Sequence, residues 1–240
     1  TTQEFGTALN DLIKNGAQAI VVDLRNNGGG YIDAAIGLCS EFFPNKSLVT
    51  SVVNPRLNYS EPYFSNSKNC TQLPLVILAN RFSASASEIT SGAMKDYRRA
   101  LIVGETTYGK GSVQTLYPLS DGGALKVTIA HYLTPKDKDI HLKGIAPDIE
   151  FESRPTNKIG SDNDLQLKLA THEAKFMLDH KLSSELSEAD IKAAQQDGEA
   201  WKKDPAIAKL IAADKAEEAK LRAKIEEEIK KDSKITRDVQ

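Results

Sequence analysis

Three short segments of this 240-residue chain hold residue types that can do chemistry. Gly28-Gly29-Gly30 follows an apolar run and precedes a helical pattern. Glycines let backbone N–H groups face outward at dihedrals that other residues avoid, and the following helix presents its positive dipole end. Such a turn binds an anion, either a phosphate or the oxyanion of a tetrahedral intermediate. The G-x-G-x-x-G spacing is missing and no Gly-Lys-Ser/Thr follows, so a nucleotide site is poorly supported. Ser83-Ala84-Ser85-Ala86-Ser87-Glu88 leaves a second apolar run and opens a helix. A serine there either caps the helix or acts as a nucleophile beside oxyanion-binding N–H groups. A serine nucleophile needs a base. His131 falls in a strand pattern, His141 in a polar loop, and His172 and His180 in a helical tail, so none makes a persuasive partner. Lys110, between Gly109 and Gly111, is the remaining candidate. A lysine takes a proton only when neutral, which burial beside apolar walls favours. Each segment alone also has an ordinary reading: a tight turn, a helix cap, and an exposed lysine in a turn.

The elements that would carry these segments follow from hydrophobic spacing. Phe5, Leu9, Leu12 and Ile13 give an opening helix ended by Asn15-Gly16. Ala19–Leu24, Leu73–Ala79 and Ala100–Val103 are short runs rich in branched apolar residues, which predicts strands buried on both faces. Helices are expected from about Ile32 to Phe43 and from the serine cluster to about Tyr97. Leu48–Val53 is a further strand, and 54–72 a loop or irregular hairpin. Ser112–Tyr117 and Ala124–Leu133 form antiparallel strands around Asp121-Gly122-Gly123, and Ile149–Phe151 a last strand. Strands alternating with helices, then antiparallel strands, predict an α/β fold.

Composition divides the chain. Residues 1–160 hold 31 charged residues, and residues 161–240 hold 33 in half the length. Of 15 glycines only Gly198 lies beyond residue 160. The expectation is therefore a core over 1–152, a linker over 153–163, and a charged helical segment over 164–240. Within the last, Ser187 and Asp190 form a capping-box start, and Asp204-Pro205 an N-cap with proline at the first helical position. A formal charge of −2 argues against a nucleic-acid partner. No apolar run reaches the roughly 18–20 residues of a membrane-spanning helix. The chain opens at Thr1 without the basic-then-apolar pattern of a signal peptide. Cys39 and Cys70 match no zinc pattern; buried thiols are expected, with one disulfide as the alternative.

Taken together, the segments resemble a known family. Asp23-Leu24-Arg25-Asn26-Asn27-Gly28-Gly29-Gly30, then Asn80-Arg81-Phe82-Ser83-Ala84-Ser85-Ala86-Ser87-Glu88-Ile89, then Val103-Gly104-Glu105 and Tyr108-Gly109-Lys110-Gly111-Ser112-Val113-Gln114 are similar to the C-terminal processing (tail-specific) serine peptidases. Lys143-Gly144-Ile145-Ala146-Pro147-Asp148-Ile149 resembles that family's closing motif, so the likeness covers roughly residues 1–152. It implies a crotonase-like (ClpP/crotonase-type) α/β core with a helical C-terminal extension. It implies Ser85 as nucleophile, Lys110 as general base, and Gln114 orienting the lysine. The N–H groups of Ala86 and Gly29 would form the oxyanion hole. Asp96 also matches a family position. Eleven residues of helix place it about 16 Å from Ser85, so it reads as structural, near Arg98 or Arg99. Glu88, one turn from Ser85, reads as a capping or positioning residue.

The resemblance further implies an endopeptidase acting near protein C-termini without metal or cofactor. Its partners would be protein or peptide substrates, and its location periplasmic or otherwise exported. Family members usually carry a PDZ domain before the core, and that domain and the first catalytic-domain strand would belong to a longer protein. Two rivals have different chemistry. One is an inactive scaffold or binding module whose helical tail grips an adaptor or a second copy; the other is a crotonase-type acyl-transfer enzyme using the Gly28–Gly30 turn.

Overall fold

Three runs of four or five apolar residues, too short for helices and rich in Val, Ile and Leu, lie side by side at the centre of the molecule. The computed structural model describes residues 2–152, 159–182 and 185–238, so part of the expected 153–163 linker lies outside the described residues. In chain order the elements are α1 (Thr2–Lys14), β1 (Ile20–Asp23), α2 (Ile32–Ser40), β2 (Leu48–Asn54), β3 (Tyr59–Phe64), β4 (Leu75–Ala79), α3 (Ala86–Asp96) and β5 (Leu101–Gly104). There follow β6 (Ser112–Pro118), β7 (Ala124–Leu133), β8 (Ile149–Glu150), α4 (Leu165–Asp179), α5 (Glu188–Lys203) and α6 (Pro205–Asp238).

Two four-stranded sheets result, ordered β1-β4-β5-β8 and β3-β2-β7-β6. The first is parallel, with Val21 opposite Val76, Ile77 opposite Ile102 and Val103 opposite Ile149. The second is antiparallel, and within it the hairpin β2–β3 occupies part of the 54–72 segment expected as a loop or irregular hairpin. Alternation along the central strand explains why both faces must be covered. Leu75, Ile77 and Ala79 join Phe42, Val49, Ile89, Met94 and Tyr132 in one apolar cluster. Val76 and Leu78 join Leu101 and Val103 in another, completed by Leu165, Leu169, Met177, Leu186 and Ala194. The compositional break near residue 160 thus does not divide the core. α4 and α5 supply one of the two layers that bury the parallel sheet, while on α6 Leu221, Ile225 and Ile229 are exposed.

A buried ion pair ties that helical layer to the glycine turn. Arg25, just past β1, donates through Nη1 and Nη2 to Asp164 at 2.8 and 2.7 Å, and through Nη2 to Asp23 at 2.6 Å. Asp164 is the N-cap of α4 and accepts from the Leu167 N–H at 3.0 Å. The Arg25 and Asp164 side chains are 1% and 0% exposed. Gln166, also buried, accepts from Arg25 at 3.0 Å and donates to the Phe151 carbonyl at 2.7 Å. Cys39 is buried and Cys70 half-buried, and both are free thiols. No helix among the described residues is long and apolar enough to cross a membrane.

Burial alone would raise the Asp164 carboxyl. Hydrogen bonds from Arg25 and from the Gly160 and Leu167 N–H groups, with the Arg25 charge, outweigh it and hold the group below its ordinary 3.8. A depressed carboxylate contributes stability above its unfolded value and loses it as pH falls through the folded one. Removing one partner of a buried pair strands the other charge, at a cost of about 3–5 kcal/mol. Asp164→Asn is expected to lower unfolding free energy by about 3 kcal/mol at pH 7, since Asp23 remains beside Arg25. In urea titrations the gap from wild type narrows below about pH 4. A gap that is absent at pH 7, or constant down to pH 3, would contradict this account.

Candidate active site

The site is built where β1 and β4 end side by side. Parallel neighbours deliver their C-terminal ends to the same edge, and short polar side chains stitch the two turns together there. The Asn80 side chain accepts from the Asn26 N–H at 3.0 Å and donates to the Asn26 side chain at 2.9 Å. Ser83 donates to the Leu24 carbonyl at 2.7 Å and accepts from the Asn80 N–H at 3.0 Å. The Ala84 N–H and the Ser87 hydroxyl both donate to the Asn27 carbonyl at 3.0 Å. Ser83 and Ser87 are thus structural, which leaves Ser85 as the serine of the cluster free of that stitching.

Ser85 immediately precedes α3 with φ +56° and ψ −118°. Positive φ in a residue with a Cβ costs on the order of 1–3 kcal/mol and persists only where the surroundings impose it. Gly29 faces it at φ +91°. A Cβ there would stand 2.4 Å from the Ala84 carbonyl oxygen, 2.7 Å from the Ala86 nitrogen and 2.8 Å from the Ser85 Cβ. Only glycine permits that approach. The Ala86 N–H lies at the first position of α3, where no carbonyl of the helix can reach it.

Glu88 organises the rest. Its side chain is fully buried, and its two oxygens accept four hydrogen bonds. Oε1 takes the Thr107 hydroxyl and the Gly109 N–H, both at 2.6 Å; Oε2 takes the Ser85 N–H at 2.9 Å and the Lys110 N–H at 2.8 Å. One carboxylate oxygen therefore holds the backbone nitrogens of Ser85 and Lys110 within two hydrogen-bond lengths of each other. The loop is fastened on its other side too. Thr107 Oγ1 accepts from the Ile145 N–H at 2.7 Å, the Leu142 N–H donates to the Gly109 carbonyl at 2.8 Å, and the Tyr108 N–H donates to the Ser83 carbonyl at 3.0 Å. Asp148 acts at the far end of α3, accepting from Lys95 at 2.8 Å and from the Ile102 N–H at 2.9 Å.

Not every expected residue joins the cluster in this structure. The Lys110 side chain is exposed rather than buried, and no hydrogen bond joins it to Ser85. The Gly29 N–H donates to Asn27 Oδ1 at 2.9 Å, so this structure engages it within its own turn. Gln114 on β6 is exposed and meets Thr128 Oγ1 at 3.4 Å, with no hydrogen bond to Lys110. Asp96 is structural, but through other partners than Arg98 or Arg99. It accepts from the Thr134 hydroxyl, the Lys136 N–H at 2.9 Å and Lys138 Nζ at 2.9 Å, pinning the turn after β7. Asn26, Asn80, Thr107 and Arg25 are positioning residues that residue chemistry alone did not single out. For Arg25, Asn26 and Asn80 the only signal was membership of the longer motifs, and Thr107 falls between two of them. Beside the turn lies a cavity of about 150 Å³, lined by Leu24, Ala34, Ala35, Leu38, Ala86 and Thr90 among others.

Known proteins resemble this chain in sequence and in fold. The model of peptidase family S41 matches residues 1–151. A carboxyl-terminal-processing protease of Synechocystis sp. is 44% identical over 170 residues, which are 70% of this chain and 39% of that protein. A chloroplastic C-terminal processing peptidase of Tetradesmus obliquus is 40% identical over 152 residues, 63% of this chain and 32% of that one. Among solved structures, the photosystem II D1 C-terminal processing protease superposes with a TM-score of 0.59 at 35% identity, covering 68% of this chain and 44% of that chain. The chain spans about two fifths of the length of the Synechocystis relative.

Glu88→Ala would leave four donors without their acceptor, and hydrogen bonds to charged groups contribute about 1.5–3 kcal/mol each. Exchange of the Gly109 and Lys110 amides is expected to accelerate at least tenfold, beyond any change at the β4 amides, with Glu88→Gln intermediate. Uniform acceleration across both regions would mean that Glu88 supports the fold generally and not this loop.

Proposed function

The chain belongs to peptidase family S41, and from that membership we propose that it is a serine endopeptidase core that cleaves protein substrates near their C-termini through a Ser85–Lys110 dyad. The observation that carries the reading is the Glu88 carboxylate, which binds the backbones of both residues with one oxygen. Four methylenes give the lysine ample reach across that gap. The strained Ser85 backbone at the start of α3 supports the same role, since a sharp strand-to-helix turn is where a serine nucleophile is exposed.

In this reading Ser85 attacks the scissile carbonyl while neutral Lys110 takes its proton and then returns it to the leaving amine. The oxyanion is received by the Ala86 N–H and by Gly29 once its N–H turns from Asn27, a rotation that costs a glycine little. Lys110 folds inward over Ser85 when the substrate covers it, and Gln114 orients the ammonium on the β6 side. Substrate closure would also supply the dry surroundings that a neutral lysine needs. The crotonase-like core, an exported location and capture of substrate C-termini by a PDZ domain belong to this proposal as well. The cavity at the turn is small and largely apolar, which favours a small apolar side chain beside the cleaved bond.

Ser85→Ala and Lys110→Ala in the full-length protein should each lower cleavage of an unfolded protein substrate at least about a thousandfold without loss of fold. Lys110→Arg should not restore it, because a guanidinium stays protonated. Cleavage near wild type in either alanine variant would refute the dyad.

A further inference from the structure

The helical layer holds a second cluster of chemistry-bearing side chains, remote in sequence from the glycine turn. His172 and Glu173 are neighbours on α4, and Asp197 lies on α5. One ligand-type atom from each lies within 4.8 Å of the other two. His172 Nε2 and Asp197 Oδ2 are 2.6 Å apart, and both side chains are about one-third exposed, so they form the mouth of the cluster. Glu173 forms its floor. It is fully buried, and neither of its carboxylate oxygens has a hydrogen-bond partner.

A buried carboxylate with no donor is among the costliest arrangements a core can hold. The neighbouring cation does not relieve it. Lys202 Nζ is engaged by the Glu150 carbonyl at 2.7 Å and by Glu199 Oε1 at 2.5 Å. Burial first, then the Asp197 charge, with Lys202 opposing, pushes the Glu173 carboxyl up to about 8. The surroundings are nevertheless shaped for the carboxylate. Gly198, the only glycine beyond residue 160, packs directly on it, and a Cβ there would stand 2.8 Å from Glu173 Oε1. The Trp201 ring lies 6.0 Å from the His172 ring, giving the cluster an aromatic flank.

We propose that His172, Glu173 and Asp197 bind a divalent transition-metal cation of the zinc type, which clamps α4 to α5. One imidazole and two carboxylates form a three-residue set that balances a 2+ charge and leaves a fourth position for water. The imidazole selects zinc-like ions over magnesium or calcium, which favour all-oxygen shells. Tetrahedral coordination at about 2.0–2.2 Å sets ligand atoms roughly 3.3 Å apart. The His172–Asp197 hydrogen bond would open slightly to admit the ion, and Glu173 would close on it from below. The site would serve to join α4 to α5. It stands apart from Ser85 and does not rest on the peptidase reading.

The test is calorimetric titration of the EDTA-treated, dialysed full chain with Zn²⁺, alongside thermal unfolding and the visible absorbance of the Co²⁺ form. Expected are one bound equivalent, a rise in Tm, and the d–d bands of a four-coordinate nitrogen–oxygen site. Glu173→Gln keeps the shape and removes the charge. It is expected to retain or raise the metal-free Tm, to weaken Zn²⁺ binding at least about tenfold, and to erase the metal-induced rise. If that variant fails to fold, half-exposed Asp197→Asn decides by the same readouts. The proposal is overturned if wild type binds no Zn²⁺, if these variants bind as wild type does, or if binding is lost instead in His131→Ala, whose ring lies 4.8 Å from that of His141.

Discussion

A single carboxylate, Glu88, lets two separate stretches of chain meet, the start of α3 and the loop after β5. It is buried, and its two oxygens accept four hydrogen bonds. Three of those donors are backbone N–H groups, so the carboxylate fixes main chain directly and does not depend on neighbouring rotamers. Helix α3 holds Glu88 from within, the turn before it holds Ser85 at positive φ, and the loop after β5 is drawn down onto both. The Ser85 backbone at positive φ and the Lys110 backbone are both held by that one group, and Gly29 packs on the same turn.

Local periodicity was enough to read the framework, because each strand and helix expresses its own burial pattern. β4 alternates between two apolar clusters, and its neighbours repeat the pattern, so the α/β architecture was legible from branched apolar runs alone. The helix starts at Ser187 and Asp204 were legible for the same reason, since capping is a matter of three or four adjacent residues. The hairpin partner β3 was harder to read, because Tyr59–Phe64 is mostly exposed and takes its structure from pairing with β2.

Illegible features depend on contacts between distant positions. Arg25 meets Asp164 across 139 residues, and Asp96 meets Lys138 across 42. Neither partner could be chosen from spacing, which is why Asp96 was assigned to the nearest arginines. The charge-rich composition of the last third pointed to an appended layer, yet its apolar residues are what close the parallel sheet. Motif membership put Lys110 and Gly29 forward as candidate site residues. Their present conformations, one side chain in solvent and one N–H turned to Asn27, are set by local satisfaction of polar groups that no motif encodes.

The link from Arg25 to Asp164 has a temporal consequence. A ribosome makes this chain from its N-terminus, so the glycine turn emerges well before the helix that anchors it. Until residue 164 has cleared the exit tunnel, the Arg25 guanidinium has only Asp23 beside it, and one face of the parallel sheet is bare. The parts of the proposed hydrolytic apparatus are thus present early, but their scaffold closes late. The glycine turn is made early and fastened late.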